Sequence, residues 1–132
     1  MERNNRTLMH IDGSHAVRIR CRIILEEAGW RVVSCRDGEE ALEHVRAEGH
    51  GIDMIMLDMM LPGINSLSVT RLLRANPHWR DLPIVMSSTR SSPSVVGAAR
   101  SAGLDGWAVK PFRPRNLTAT LERVCAQKEP DK

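Results

Sequence analysis

Short apolar segments alternate along the chain with longer segments of helical periodicity. The segments that predict strands are 8–11, 31–35, 52–57, 83–87 and 106–109. Between them, apolar residues recur at three- and four-residue spacing, as in Cys21, Ile24 and Leu25, which is the period of a surface helix. This alternation is typical of parallel strands linked by helices. The pattern predicts an α/β protein with five parallel strands.

Turn and capping residues indicate where the helices begin and end. Helices are expected from about Val17 to Gly29, from Gly38 onward, over 66–75, from Pro93 through Ala102, and around 117–124. Asn65 is expected to cap the third helix, and Ser92 with Pro93 has the pattern of a helix cap followed by a first-turn proline.

Length and composition limit the class of protein further. With 132 residues, 42% of them hydrophobic and 27% charged, residues 1–132 are expected to form one globular domain with a polar, frayed tail at 127–132. Scattered arginines, a net charge of +3 and only four aromatic residues disfavour a nucleic-acid surface. Because no 18 apolar residues run uninterrupted, we expect a cytoplasmic protein without a membrane partner. Cys21, Cys35 and Cys125 lack metal-ligand spacing and are expected to be reduced, buried thiols.

Polar side chains follow four of the five predicted strands. They are Asp12, Asp58, the pair Ser88 and Thr89, and Lys110. Ligands of open parallel sheets bind beyond the carboxyl ends of the strands, so we read these residues as one group. Asp58 could attack phosphorus, carboxylates could hold a divalent cation, and Lys110 with a hydroxyl could hold the remaining charge. Taken singly, each residue also fits ordinary turn, cap or loop chemistry.

Six segments together resemble the receiver domains of bacterial two-component response regulators. These segments are LMHID at 8–12, LEEAGW at 25–30, RDGEEALE at 36–43, MIMLDMMLPG at 54–63, LPIVMSST at 82–89 and AGLDGWAVKPF at 102–112. The specific combination is Asp58 followed by Leu61-Pro62, Ser88 after an apolar strand, and Lys110-Pro111-Phe112. The resemblance implies a doubly wound, flavodoxin-like fold and a signalling domain that is not an enzyme acting on a separate substrate.

The resemblance also assigns roles to the polar group. Asp58 would accept a phosphoryl group from a phosphohistidine on a sensor histidine kinase or a histidine phosphotransfer protein. Ser88 and Thr89 would contact the phosphate, and Lys110 would pair with one of its oxygens. Asp12, Asp58 and the backbone carbonyl of Met60 would hold Mg²⁺.

Trp107 occupies the position of an aromatic residue that, in relatives, swings inward and changes the binding surface formed by the fourth helix, fifth strand and last helix. The alternative is a tryptophan that merely packs on the fifth strand. That surface would bind a downstream protein target, which the sequence does not identify, or a second copy of the chain. The Lys110-Pro111 bond is usually cis in relatives.

Gly13 departs from the family pattern, because relatives place a second, metal-contacting acidic residue there. We expect weak Mg²⁺ binding and slow phosphorylation. The alternative function is a pseudo-receiver, an interaction module that signals without phosphate. A hydrolase of the haloacid dehalogenase type is disfavoured, because that class needs a second acidic residue two positions after the aspartate, where this chain has Met60.

Three further positions carry expectations of their own. Met60 and Arg90 occupy positions that tune phosphate loss in relatives, and a methionine offers no polar group to orient water, which predicts a long-lived aspartyl phosphate. His10 is expected to be buried and hydrogen-bonded to a neighbour.

Overall fold

The computed structural model describes residues 6–48, 51–61, 63, 65–77, 79–89 and 93–128. The strands are β1 (Thr7–Ile11), β2 (Arg31–Cys35), β3 (Met54–Asp58), β4 (Ile84–Ser88) and β5 (Gly106–Val109). The helices are α1 (His15–Glu27), α2 (Gly38–Glu48), α3 (Ser66–Ala75), α4 (Pro93–Ser101) and α5 (Pro114–Lys128). Helices and strands alternate along the whole described chain, as the hydrophobic pattern predicts.

The five strands form one parallel sheet in the order β2-β1-β3-β4-β5. Apolar residues of α1 and α5 pack on one face, and those of α2, α3 and α4 pack on the other. The predicted doubly wound, flavodoxin-like sheet is therefore confirmed. The strand order reverses between β1 and β3, which is where a fold of this kind opens a crevice for a ligand.

The central strand β3 shows why the sheet is buried on both faces. Met54 and Met56 pack toward α1 and α5, whereas Ile55 and Leu57 pack toward the opposite helices, and all four are fully buried. A parallel strand covered on both sides has no polar face to alternate with its apolar one. Burial on both faces therefore explains why the sequence of β3 is continuously apolar up to Asp58.

Several boundaries differ from the prediction. β3 and β4 each include the polar residue expected to follow them, because Asp58 and Ser88 still belong to the strand ladder. The first helix begins at His15 rather than Val17, and α4 ends at Ser101. Asn65 caps α3 as predicted, and Gln127, expected in the frayed tail, lies in α5. Pro62, Ile64, Arg90, Ser92 and residues 129–132 lie outside the described residues.

The cysteines follow their prediction only in part. Cys21 and Cys35 are buried free thiols, and burial raises the pKa of each to about 12. Cys125 is a free thiol that is only half-buried, so the prediction of burial is wrong for this residue. No helix among the described residues is long and apolar enough to span a bilayer.

Arg74 ties together the loops at the amino ends of β4 and β5. Its guanidinium donates to the carbonyls of Trp79, Arg80, Leu82 and Gly103 and forms an ion pair of 2.6 Å with Asp105, most of whose side chain is buried. Asp105 also accepts from the backbone N–H of Ile84 at 2.9 Å, so one cluster fixes the start of both strands.

Replacing Arg74 should therefore destabilise the fold strongly. We expect Arg74→Met to lower the free energy of unfolding by about 3 kcal/mol, because it leaves Asp105 and several carbonyls without their donor. Arg71→Met, at an exposed position of the same helix, should change it by less than about 0.5 kcal/mol. Urea unfolding measures both, and equal losses in the two variants would contradict this role.

Candidate functional site

The sheet brings the predicted polar residues together in one cleft at the carboxyl ends of the strands. The cleft has a volume of about 400 Å³. Its lining residues are Asp12, Gly13, Ser14, Asp58, Met60, Ser88, Thr89 and Lys110. All the polar residues singled out after the strands are in this set, whereas Trp107 is not.

Lys110 joins the two carboxylates at the centre of the cleft. Its Nζ lies 2.7 Å from Oδ2 of Asp12 and 3.0 Å from Oδ1 of Asp58. Asp12 and Asp58 are 1% and 6% exposed, and a charge buried to this degree is costly unless it is paired. Burial by itself would lower the pKa of Lys110, but its hydrogen bonds to Asp12 and Asp58, together with their charges, outweigh burial and raise it. The ammonium is therefore held charged between the carboxylates.

The start of α1 orients Asp12. Its Oδ1 accepts the backbone N–H of Ser14 at 2.9 Å, and Ser14 in turn caps α1 by accepting from Val17. The guanidinium of Arg18, one turn into the helix, donates to the Asp12 carbonyl at 2.7 Å. Sequence reasoning missed Arg18, because its acceptor is a backbone carbonyl that no residue pattern marks.

The loop after β3 orients Asp58. The backbone N–H of Met60 donates to Oδ1 of Asp58 at 3.1 Å. Ser66, at the start of α3, donates its hydroxyl to the carbonyls of Asp58 and Met59, so the helix and the strand end are fixed to each other. Ser66 was predicted only as the first residue of a helix. The Met60 side chain is 76% exposed at the rim.

The two hydroxyl residues differ in their surroundings. Ser88 is buried and ends β4, and its carbonyl accepts the backbone N–H of Lys110 at 2.8 Å. Thr89 is exposed at the rim. Trp107 is half-buried and packs with the apolar cluster that includes Met86, Ala99 and Leu104, on the α4 side of the sheet. The Lys110-Pro111 peptide bond is cis.

His10 is buried directly below the cleft, but the hydrogen bond predicted for it is absent. Neither ring nitrogen has a hydrogen-bond partner within the part of the chain that the structure describes, and Nε2 stands 3.8 Å from Oδ2 of Asp12. Burial, with a further contribution from the charge of Lys110, lowers the pKa of His10 to about 3. The imidazole is therefore neutral at physiological pH.

The cleft supplies the small number of carboxylate ligands that Mg²⁺ requires. Mg²⁺ binds through one or two carboxylates while keeping several waters, and Asp12 and Asp58 supply two. Gly13 adds no ligand, and the ammonium of Lys110 cancels one of the two negative charges. Among the described residues, no group of three His, Cys, Asp or Glu side chains is arranged to hold a metal ion.

Fold and cleft together define a receiver-type signalling module, and comparison with known proteins gives the family. The model for the response regulator receiver domain matches residues 8–122. The chain therefore belongs to the response regulator receiver domain family, whose members act in two-component systems and typically bind Mg²⁺ at an acidic pocket.

Solved structures and curated relatives agree with this family. Chemotaxis protein CheY4 of Vibrio cholerae has 30% identity and a TM-score of 0.85, covering 90% of this chain and 98% of that chain. Response regulator MprA of Mycobacterium leprae is 35% identical over 94% of this chain and 53% of its own length. The sensor kinase/phosphatase CqsS of Vibrio cholerae is 31% identical over 94% of this chain and 18% of its own length. The chain thus spans about half or less of these curated relatives.

The neutral state of His10 predicts a stability that depends on pH. Between about pH 3 and 6.5 the unfolded chain binds a proton on this residue that the folded chain does not, so stability falls as the pH is lowered through that window. From pH 7 to pH 5 the loss due to His10 should be about 2 kcal/mol. Urea unfolding of wild type and His10→Leu at both pH values measures it. Identical pH dependence in the two proteins would contradict the buried neutral imidazole.

Proposed function

We propose that Asp58 accepts a phosphoryl group from a phosphohistidine and that the chain thereby switches a protein-binding surface. The observation that carries the proposal is the position of Lys110, whose ammonium lies 2.7 Å from Asp12 and 3.0 Å from Asp58. A cation fixed beside a nearly buried carboxylate can hold a phosphoryl oxygen once the carboxylate is phosphorylated. The same three side chains supply the nucleophile, the charge partner and a metal ligand.

The phosphoryl group would be transferred to the carboxylate oxygen of Asp58 that makes neither of the contacts described above. Both the Met60 N–H and the Lys110 ammonium engage Oδ1, so Oδ2 is the attacking atom. A bond forms between Oδ2 and phosphorus, the bond from phosphorus to the donor histidine nitrogen breaks, and that nitrogen takes up a proton from solvent. Asp12, Asp58 and the carbonyl of Met60 would hold Mg²⁺, which would supply positive charge for the phosphoryl oxygens.

Ser88 connects the phosphate to the rest of the molecule. Its hydroxyl, with that of Thr89, is proposed to contact the phosphoryl group. Because the Ser88 carbonyl accepts the backbone N–H of Lys110, displacement at the end of β4 would reach β5 directly. Trp107 packs against the apolar cluster that includes Ala99 of α4, so its movement would change the surface formed by α4, β5 and α5.

The proposed partners follow from this chemistry. The phosphodonor is a sensor histidine kinase or a histidine phosphotransfer protein, and the output is contact with a downstream protein. A homodimer through α4, β5 and α5 is the alternative output. We further propose that residues 1–132 form a single receiver domain acting in the cytoplasm, whether or not it is joined to other domains.

The second candidate function is a pseudo-receiver that binds partners without phosphate. Gly13 favours it, because two carboxylates and one ammonium leave the cleft only one net negative charge to attract a divalent cation. The first function is preferred because Asp58, Ser88 and Lys110 are all present and all line one cleft.

Phosphorylation by acetyl phosphate separates the two functions. We expect intact-mass measurement to show one added phosphate on wild type at high Mg²⁺ and none on Asp58→Asn, whose amide is a poor nucleophile. Cys125→Ser is the matched control, since it changes a side chain far along the sequence from the cleft residues and should leave the adduct intact. Absence of an adduct on wild type at every Mg²⁺ concentration would favour the pseudo-receiver.

Gly13→Asp should lower the Mg²⁺ concentration needed for half-maximal phosphorylation. An added carboxylate at the rim supplies a ligand and a negative charge, and loss of even an indirect metal partner typically changes affinity by about 10–100-fold. Gly13→Asn, which adds similar bulk without charge, controls for backbone effects. A Mg²⁺ requirement unchanged by Gly13→Asp would show that the missing ligand is not what limits metal binding.

A further inference from the structure

The guanidinium of Arg18 holds the backbone beside the cleft rather than a side chain inside it. Its Nη1 donates to the carbonyl of Asp12 at 2.7 Å, and the Arg18 side chain is half-buried. A hydrogen bond from a charged donor is roughly twice as strong as one between neutral groups. This contact therefore fixes the peptide group that joins Asp12 to Gly13.

The orientation of this peptide group determines where the Asp12 carboxylate points. The backbone N–H of Asp12 donates to the carbonyl of Cys35 at 3.0 Å, so the sheet fixes one side of the residue. On the other side, Oδ1 of Asp12 accepts the backbone N–H of Ser14, and Gly13 lies between the two residues. Glycine restricts the backbone less than any other residue. Without a further contact, the Ser14 N–H could turn away and release the carboxylate from its position in the cleft.

Arg18 supplies this further contact from the first turn of α1. Its backbone N–H donates to the carbonyl of Ser14 at 3.0 Å, and its guanidinium returns to the carbonyl of Asp12. The two hydrogen bonds span Gly13, one on each side of it. Because one residue makes both bonds, residues 12–14 are tied to the helix as a unit.

We propose that Arg18 is a positioning residue for the metal site, which keeps the Asp12 carboxylate directed into the cleft in spite of the glycine at position 13. The inference rests on the proposed phosphoacceptor function, in which Asp12 would hold Mg²⁺. Residues that orient a metal ligand without touching the metal typically change its affinity by about 10–100-fold. Arg18 acts on the metal site in this way, through Asp12.

The charge of Arg18 has the opposite effect on a metal ion. The guanidinium lies 2.7 Å from the backbone of the proposed ligand Asp12, and a positive charge so close to the site repels a cation. Removal of Arg18 therefore strengthens Mg²⁺ binding if the charge dominates and weakens it if positioning dominates. A residue that only stabilised the fold would change the affinity in neither direction.

A Mg²⁺ titration of the unphosphorylated protein, followed by the amide NMR signals of residues 12–14, measures this change. We expect Arg18→Met to raise the Mg²⁺ dissociation constant at least about tenfold. Arg18→Lys, whose ammonium can also donate to a carbonyl, should recover most of the lost affinity. Arg22→Met is the matched control, because Arg22 lies on the same helix but donates to the hydroxyl of Ser34. It should remain within about twofold of wild type.

A change at Gly13 tests the reason given for the contact. Gly13 is exposed and does not have a positive φ, so an alanine can adopt the same backbone conformation. Because alanine narrows the conformations open to the loop, Gly13→Ala added to Arg18→Met should recover about two- to fivefold in Mg²⁺ affinity.

Hydrogen exchange provides a measurement without metal. The amide proton of Ser14 should exchange at least about tenfold faster in Arg18→Met than in wild type, because the loop opens locally. The amide proton of Met56, in the buried strand β3, should exchange at the same rate in Arg18→Met as in Arg22→Met. The comparison separates a local opening of the loop from a general loss of stability.

Three results would overturn the inference. They are a Mg²⁺ affinity in Arg18→Met that equals or exceeds that of wild type, an equal loss in Arg18→Met and Arg22→Met, and unchanged exchange of the Ser14 amide. If Arg18→Met does not fold, Arg18→Lys is compared with Arg18→Gln, whose amide nitrogen ends two bonds short of Nη1. Equal Mg²⁺ affinity in these two variants would likewise overturn the inference.

The same titration distinguishes failure of this inference from failure of the proposed function. A wild-type protein that binds Mg²⁺ but takes up no phosphate from acetyl phosphate would overturn the phosphoacceptor function alone. A wild-type protein that binds no Mg²⁺ at any concentration would overturn both.

Discussion

The arrangement of the cleft depends on one ammonium group held between two carboxylates. Asp12 directly follows β1, and Asp58 is the last residue of β3. Because these two strands are neighbours in the sheet, the two buried carboxylates lie side by side. Two buried carboxylates that lie side by side repel each other and are costly to bury unless a cation pairs with both. Lys110, delivered by β5 from two strands away, provides that cation. The strand order brings the lysine to the carboxylates, and its ammonium forms an ion pair with each of them.

This arrangement would prepare the proposed phosphoacceptor site before a phosphodonor arrives. Lys110 is held charged by its contacts with Asp12 and Asp58, and most of its side chain is buried, so it needs little reorganisation to hold a phosphoryl oxygen. Gly13 adds no carboxylate to this arrangement, so the cleft offers a divalent cation only one net negative charge.

Much of the fold and the site follows from the order of residues. The apolar runs and the polar residues after them place Asp12, Asp58, Ser88 and Lys110 at one edge of a parallel sheet, because every strand of such a sheet points the same way. The contacts that the sequence did not predict are hydrogen bonds from side chains to backbone carbonyls. Arg18 bonds the carbonyl of Asp12, Ser66 the carbonyls of Asp58 and Met59, and Arg74 four carbonyls of two loops. Side-chain patterns do not show where carbonyls converge.

The ends of β3 and β4 and the environment of His10 illustrate two other limits. A prediction from apolar residues ends a strand at its last apolar residue, but the hydrogen-bonded strands β3 and β4 continue through the polar residues Asp58 and Ser88. A buried histidine was expected to find a partner, since most buried polar groups do, and the structure leaves both nitrogens without one. The expectation that a buried polar group is paired therefore fails at His10, directly below the two carboxylates of the cleft.

The most direct measurement of the central interaction is an NMR pH titration of the Lys110 side chain. Both carboxylates contact the ammonium, so we predict a pKa of Lys110 above the ordinary value of 10.5 in wild type and a lower pKa in Asp12→Asn and in Asp58→Asn. A wild-type pKa at or below 10.5 that neither substitution changes would contradict the bridge on which the proposed phosphoacceptor site depends.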